Sequence, residues 1–152
     1  NPVNESYNDG LGTPRYQRPM DTVSGFECQI VKPAAGFFTL AQDFNGQAIN
    51  IGTEPDFVVG FAAPVPVTDG SVVLMTFNFM ALDLDPKPIF LGETSVPSIP
   101  GFMAIADGSI INDNLQAVWP SSGGFAFPVF GLNTDVVATE TESWGNVKSL
   151  FR

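Results

Sequence analysis

Residues 71–82 read SVVLMTFNFMAL, an apolar stretch without Gly or Pro, and they point to the fold class. Every second residue from Val73 to Phe79 is apolar, which is the period of a β-strand, whereas a helix would need a period of about 3.6. Several alternate positions, such as Val72 and Met80, are apolar as well. We therefore predict a long central strand that is covered on both faces.

A second strong strand signal occupies residues 23–31. Phe26, Cys28 and Ile30 alternate with polar residues, which places them on one face and leaves Glu27 on a solvent-facing side. Shorter strand-like segments are separated by Gly, Pro or Asn and lie at 36–40, 47–51, 56–63, 88–91, 102–106, 115–119, 125–130 and 135–138. This spacing predicts an all-β fold, an antiparallel β-sandwich of about eight to ten strands.

The chain divides into three parts by composition. Residues 1–22 are polar and rich in Pro and Gly, which is typical of an N-terminal arm. Residues 23–139 hold the strand signals and form the predicted sandwich domain. Residues 140–152 form a short C-terminal element, helical or extended, in which Trp144 and Phe151 would share one face of a helical turn.

Composition excludes several classes of function. The chain has 16 acidic and 6 basic residues, a net charge of −10, so binding to nucleic acid is not expected. It contains no histidine, which removes the Ser-His-Asp and Cys-His catalysts and the commonest ligand of transition metals. The single cysteine, Cys28, excludes an intrachain disulfide and is expected to be a buried free thiol. No transmembrane segment is predicted, because no apolar run reaches about 18 residues.

Several phrases of the chain, taken together, resemble a family of small secreted bacterial proteins without an assigned activity. The phrases are VSGFEC at 23–28, GQAIN at 46–50, FVVGFAAP at 57–64, PSIPG at 97–101, PSSG at 120–123 and SWGNVKSLFR at 143–152. The resemblance implies export from a bacterium and a non-enzymatic sandwich that is cohesin-like, jelly-roll-like or similar to a carbohydrate-binding module. It transfers no catalytic residue.

The same resemblance implies a signal peptide and a further strand ahead of Asn1. Without that strand, the sandwich would present an unpaired sheet edge and a hydrophobic slot. Another chain could supply the strand, since strand addition between subunits produces very stable polymers. The ending WGNVKSLFR at 144–152 would be either a docking element or a cover for the open end of the sandwich.

Two groups of residues are candidates for ligand binding. Asp83 and Asp85 lie two apart in a predicted loop, where carboxylates can hold calcium. The segment lacks the glycine and the later glutamate of a calcium-binding loop, so a solvated loop is the favoured interpretation. Trp119, Phe125 and Phe127 flank a predicted turn and could form a platform for a sugar ring, whereas aromatic residues in strands more often belong to the core. No other cofactor is expected.

Candidate assembly residues lie in the arm and in the C-terminal element. Aromatic and arginine side chains are typical of protein interfaces. The candidates are Tyr7, Arg15, Tyr16, Arg18, Trp144 and Phe151.

The leading hypothesis is a non-enzymatic extracellular or cell-surface structural protein. In this hypothesis the chain is a self-assembling surface or filament subunit, whose partners are copies of itself joined by the arm or by strand addition. The alternative is a β-sandwich module that binds a polysaccharide or a surface protein.

Overall fold

The computed structural model describes residues 19–109 and 114–134, together with the backbone of two short strands in the N-terminal arm. No helix occurs among these residues, and hence no helix that could cross a membrane. The strands are β1 (Ser6–Asn8), β2 (Pro14–Tyr16), β3 (Thr22–Val31), β4 (Phe37–Phe44), β5 (Ala48–Asn50), β6 (Asp56–Pro66), β7 (Met75–Ala81), β8 (Lys87–Gly92), β9 (Met103–Asp107), β10 (Leu115–Val118) and β11 (Phe130–Leu132).

The larger sheet has seven strands and is built around β3. Its main order is β10-β9-β3-β6-β5, while β8 pairs with the last residues of β3 and carries β11 on its other edge. A bulge at Ser24 interrupts β3, and Gly25 follows it. A Cβ atom on Gly25 would lie 2.7 Å from the carbonyl oxygen of Val59, so only glycine fits this close approach.

Strands β4 and β7 form a separate two-stranded sheet, which we call the ribbon. The ribbon packs on the inner face of the larger sheet. Phe77 of β7 lies edge-on to the fully buried Phe57 of β6, with 5.7 Å between ring centroids. Phe79 lies edge-on to Phe130 of β11 at 5.6 Å, so the ribbon extends across the strands from β6 to β11.

The main core lies between the ribbon and the larger sheet. The larger sheet contributes the buried side chains Phe26, Ile30, Phe57, Val59 and Ile89. The ribbon contributes the partly buried side chains Phe37, Phe44, Met75, Phe77 and Phe79. Two antiparallel sheets packed face to face confirm the predicted all-β sandwich.

The prediction that residues 71–82 form a central, doubly covered strand is wrong. Only Met75–Ala81 form β7, and β7 pairs with β4 alone among the described strands. Val73 is 64% exposed, because residues before Met75 lie outside the strand. The preceding turn is confirmed: Asp69 and Gly70 both have positive φ, and Thr68 and Ser71 bridge across them.

The strand predicted at 125–130 is also wrong, apart from Phe130, the first residue of β11. Two successive turns replace it. They are closed by hydrogen bonds from the Gly123 amide to the Pro120 carbonyl and from the Phe127 amide to the Gly124 carbonyl. Local hydrogen bonding here outweighs the alternation of apolar residues.

Glu27 does not face solvent as predicted. Its side chain is buried, and its two carboxylate oxygens accept hydrogen bonds from the Ser98 amide and hydroxyl, each 2.7 Å long. The loop that carries Ser98 folds over the outer face of the larger sheet. A second, smaller core forms beneath it around Ile99, Ala104 and Ala117.

The arm contains a backbone hairpin, because β1 and β2 pair antiparallel with Tyr7 opposite Arg15. Strand β3 begins at Thr22, one residue before the predicted start of the domain at residue 23. The predicted strand at 135–138 and the C-terminal element at 140–152 lie outside the described residues.

Candidate functional site

The outer face of the ribbon carries a row of exposed apolar side chains at one end. Phe38 of β4 stands directly opposite Met80 of β7, and the two side chains are 57% and 45% exposed. Leu40 and Leu82 extend the row at 59% and 63% exposure. We call these four residues the ribbon patch. An exposed row of large apolar side chains is typical of a contact surface.

A second exposed apolar surface lies on the other side of the sandwich. Ala48 of β5 packs against the main core, so alternation directs Ile49 to the outer face of the larger sheet. Ile49 is 72% exposed, and Ile51, just beyond β5, is 79% exposed. We call Ile49 and Ile51 the β5 patch. The two patches therefore lie on opposite layers of the sandwich.

A groove of about 290 Å³ lies between the ribbon and the larger sheet. Side chains of β7 line one wall, and side chains of β3, β8 and β11 line the other. The lining residues are Ile30, Lys32, Phe77, Phe79, Ile89, Leu91 and Phe130. No strand of the described chain pairs with the second edge of β7 or of β11. The lining of the groove is thus mainly apolar, and β7 and β11, which both contribute to it, each pair with one strand of the described chain.

Lys32 is the charged residue of the groove lining. Its ammonium donates to Thr39 at 3.0 Å and to Glu54 at 2.9 Å, and it lies 5.7 Å from the centroid of the Phe77 ring. Its side chain is only 16% exposed. The ammonium therefore lies at the Phe77 end of an otherwise apolar groove, where its charge is paired with the Glu54 carboxylate.

The calcium candidates lie in the loop between β7 and β8. The carboxylate of Asp83 forms an ion pair with the buried Lys87 and accepts a hydrogen bond from the Asp85 amide at 3.0 Å. The hydrogen bond from Lys87 lowers the pKa of Asp83 below its ordinary value. Within residues 19–109 and 114–134, no three His, Cys, Asp or Glu residues gather in a way that could hold a metal ion. Asp83 and Asp85 thus form a loop whose carboxylate charge is partly neutralised by Lys87.

The aromatic candidates are partly brought together. The Trp119 ring packs against Phe125 at 4.6 Å and against Phe102 at 5.5 Å between centroids. Phe127 stands in the following turn and is 50% exposed. Trp119 and Phe125 are only partly buried, so this end of the sandwich offers an aromatic surface of limited size.

Cys28 lies on the inner face of β3 and packs against the main core. Burial, followed by the charge of Glu27, raises the pKa of its thiol to about 12. Since the thiolate is the reactive form, we expect this cysteine to react slowly at neutral pH. Cys28 was predicted to be a buried free thiol; in the structure it is a free thiol that is partly buried among apolar side chains.

Among the assembly candidates, the structure describes only the backbone of Tyr7, Arg15 and Tyr16, which lie in the β1–β2 hairpin. Arg18, Trp144 and Phe151 lie outside the described residues. The ribbon patch and the β5 patch were not identified from the sequence, and the residues of the groove were not either, although the resemblance implied an unpaired sheet edge and a hydrophobic slot. The sequence does contain a signal for the ribbon patch, namely the apolar residues on both faces of the strand predicted at 71–82. Such a pattern is expected for a buried central strand, but also for a strand with one exposed contact face.

These features define an all-β sandwich whose smaller sheet is a two-stranded ribbon. Each layer of the sandwich carries one exposed apolar patch. Comparison with protein-family models, curated proteins and solved structures gave no match to this chain.

Proposed function

We propose that this protein is a non-enzymatic extracellular structural subunit that assembles with copies of itself on a surface or in a filament. Copies would join by the N-terminal arm or by strand addition at an open edge. The proposal of export rests on the resemblance of the sequence to small secreted proteins. The absence of histidine from the sequence supports a non-catalytic role.

The observation that carries this proposal is the incomplete smaller sheet. The ribbon has two strands against seven in the larger sheet, and in the described part of the chain both of its outer edges lack a partner. Open edges are templates for pairing with another chain, and monomeric proteins usually protect them. Beside these edges the outer face of the ribbon carries the ribbon patch, which adds apolar contact to backbone pairing.

The position of the two patches favours an open polymer over a closed dimer. A symmetric dimer joins the same surface of both subunits, so no copy of that surface stays free. A contact between two different surfaces leaves one free surface at each end of the assembly, where a further copy can bind. The ribbon patch and the β5 patch lie on opposite layers of the sandwich. A contact between the ribbon patch of one copy and the β5 patch of the next would repeat along a filament.

Sedimentation and negative-stain electron microscopy of the full chain test this proposal. We expect the full chain to form ordered assemblies that Phe38→Ser and Ile49→Ser each abolish while the monomer stays folded. Val96→Ser is the matched control, because Val96 is 86% exposed but lies in a loop outside both patches. A full chain that remains monomeric at high concentration would overturn the proposal.

The arm is tested separately, by deleting residues 1–18. Assemblies that survive both patch substitutions but are lost with the arm would assign the contact to the arm. Assemblies that survive all three changes would overturn both the contact between the two patches and the contact through the arm.

Binding of a polysaccharide is the second candidate, and the stacked rings of Trp119 and Phe125 beside the half-exposed Phe127 favour it. A sugar ring can pack its apolar face on such a surface. Affinity electrophoresis in gels that contain a soluble polysaccharide tests this alternative. Retardation that Phe127→Ala removes, without a change in the far-ultraviolet circular dichroism, would support it, and unretarded migration in every polysaccharide would exclude it.

A further inference from the structure

Met80 is the most exposed of the four methionines in the chain. Met103 is buried, with 5% of its surface exposed, and Met75 packs against the main core from the inner face of the ribbon. Met20, just before β3, is partly buried. Met80 is 45% exposed and belongs to the ribbon patch. A reagent in solvent therefore reaches Met80 more readily than the other three methionines.

The neighbours of Met80 in the ribbon patch are apolar. Phe38 stands directly opposite on β4, at the spacing that lets the side chains of a cross-strand pair touch. A methionine sulfur beside an aromatic ring makes a favourable contact. Leu40 and Leu82 complete the patch, and none of these three side chains carries a hydrogen-bonding atom. The patch thus accommodates a thioether but offers no donor to a polar group at its position.

Oxidation of Met80 would place such a polar group in the patch. A hydroperoxide transfers its terminal oxygen to the thioether sulfur: the peroxide O–O bond breaks, a sulfur–oxygen bond forms, and the sulfur is oxidised to the sulfoxide while hydrogen peroxide is reduced to water. The product is a polar, chiral side chain. Water satisfies its oxygen, a hydrogen-bond acceptor, as long as the ribbon patch faces solvent.

Contact with another copy removes that water. In the proposed filament, the ribbon patch meets Ile49 and Ile51 of the β5 patch, which are apolar as well. A sulfoxide oxygen buried between the two patches would find no donor among these side chains, and an unpaired buried polar atom opposes association. The fold of the monomer is affected little, because Met80 lies on the outer face of the ribbon, away from the main core.

Cys28 does not compete with Met80 for the oxidant. Its side chain is partly buried against the main core, and burial raises the pKa of its thiol to about 12. The thiolate is the form of cysteine that a peroxide oxidises, and this form is scarce at neutral pH when the pKa is so high. A peroxide is therefore directed to the exposed thioether.

We propose that Met80 is a site of oxidative modification, at which a hydroperoxide forms the sulfoxide and thereby stops self-assembly through the ribbon patch. The inference rests on the proposed function, because it names a regulation of the surface by which copies join. Reduction of the sulfoxide by a methionine sulfoxide reductase would restore the contact. Assembly in turn would shield Met80 from the oxidant, since the contact covers it.

Peptide mass spectrometry tests the site in dilute monomer. After brief exposure to hydrogen peroxide, we expect the natural chain to carry one added oxygen at Met80, while Met75 and Met103 stay unmodified. The same exposure of assembled protein should modify Met80 more slowly than in the monomer. A monomer in which Met80 stays unmodified, or is modified no faster than Met103, would overturn the proposal.

Sedimentation of the full chain tests the effect on assembly. Peroxide should abolish the sedimentable assemblies of the natural chain and leave its far-ultraviolet circular dichroism unchanged. Met80→Leu is the matched variant, because leucine has a similar volume and no sulfur, so this variant should assemble with or without peroxide. Met80→Gln, which introduces a polar group without oxidation, should fail to assemble in either condition. Assemblies of Met80→Leu that are lost in peroxide would place the effect at another residue and overturn the proposal.

The two experiments separate this inference from the proposed function. If the untreated chain does not sediment, the proposed function fails, and the control of assembly by Met80 fails with it. If the untreated chain assembles and the chain with oxidised Met80 assembles equally well, the proposed function stands and the role of Met80 is overturned.

Discussion

Phe38 and Met80 stand directly opposite each other on β4 and β7, and both side chains point away from the core. Although the two side chains are neighbours across the ribbon, each remains about half exposed to solvent. Their contact stabilises the ribbon slightly, but a partner surface would bury far more apolar area. Substitutions at this pair should therefore change the stability of the monomer only slightly but weaken association strongly, and the two effects can be measured independently.

The first prediction concerns the free energy of this pair. In a double-mutant cycle with Phe38→Ala and Met80→Ala, we expect a coupling of about 0.2–1 kcal/mol, the usual range for cross-strand pairs. Urea unfolding of dilute monomer measures it. Phe38→Ala combined with Val96→Ala serves as the control and should be additive, because the two residues lie on different elements. A coupling near zero would mean that the two side chains do not touch in solution.

The second prediction concerns the buried carboxylate of Glu27. Glu27→Ala leaves the Ser98 amide and hydroxyl without their acceptor, so we expect a loss of about 1–3 kcal/mol in the free energy of unfolding. Glu54→Ala is the control and should cost less than about 1 kcal/mol, because Glu54 belongs to an ion pair near the surface. Similar losses for both variants would contradict the anchoring role of Glu27.

The third prediction compares two phenylalanines that differ in burial. Phe57 is fully buried between the two sheets, and Phe57→Ala should cost roughly 3–5 kcal/mol. The same change at the half-exposed Phe127 should cost less than about 1 kcal/mol. Chemical denaturation monitored by tryptophan fluorescence gives both values. If Phe127→Ala were the more damaging change, the location of the core would be wrong.

The fourth prediction follows from the raised pKa of Cys28. The thiol remains protonated in the folded state up to about pH 12, whereas it ionises from a pKa of 9.0 in the unfolded chain. The unfolded state then binds fewer protons, so the free energy of unfolding falls as the pH rises above 9. Cys28→Ala should flatten this part of the pH profile. At pH 8 a thiol reagent should label Cys28 only after denaturation, and rapid labelling of the native protein would be inconsistent with its burial.

The fifth prediction concerns the acid side of the profile. The hydrogen bond from Lys87 lowers the pKa of Asp83, so Asp83 supports the fold above its unfolded pKa of 3.8, and this support is lost as the pH falls through the lower folded value. Asp83→Asn should reduce stability at pH 7 and flatten the acid limb. Asp85→Asn is the control, because Asp85 joins the loop through its backbone amide. Equal pH profiles for the natural protein and for Asp83→Asn would contradict the pairing.

The local signals of the sequence predicted much of this fold. Alternation located β3 and most of β6, and the turn at Asp69 and Gly70 follows from residues that tolerate positive φ. These features depend on neighbouring residues only, because a strand's alternation and a turn's dihedral angles are set within a few positions of the chain.

Partners across the sheet are decided by tertiary structure. Residues 71–82 indicate a strand, but not that β7 pairs with β4 alone among the described strands or that its outer face meets solvent. Glu27 has the pattern of an exposed residue, yet the Ser98 loop, distant in sequence, covers it. The composition and alternation of this chain thus determined an all-β sandwich with an apolar core. Tertiary structure decided the central position of β3, the two patches and the groove. These features depend on contacts between residues far apart in sequence, and a local sequence pattern contains no information about the energies of such contacts.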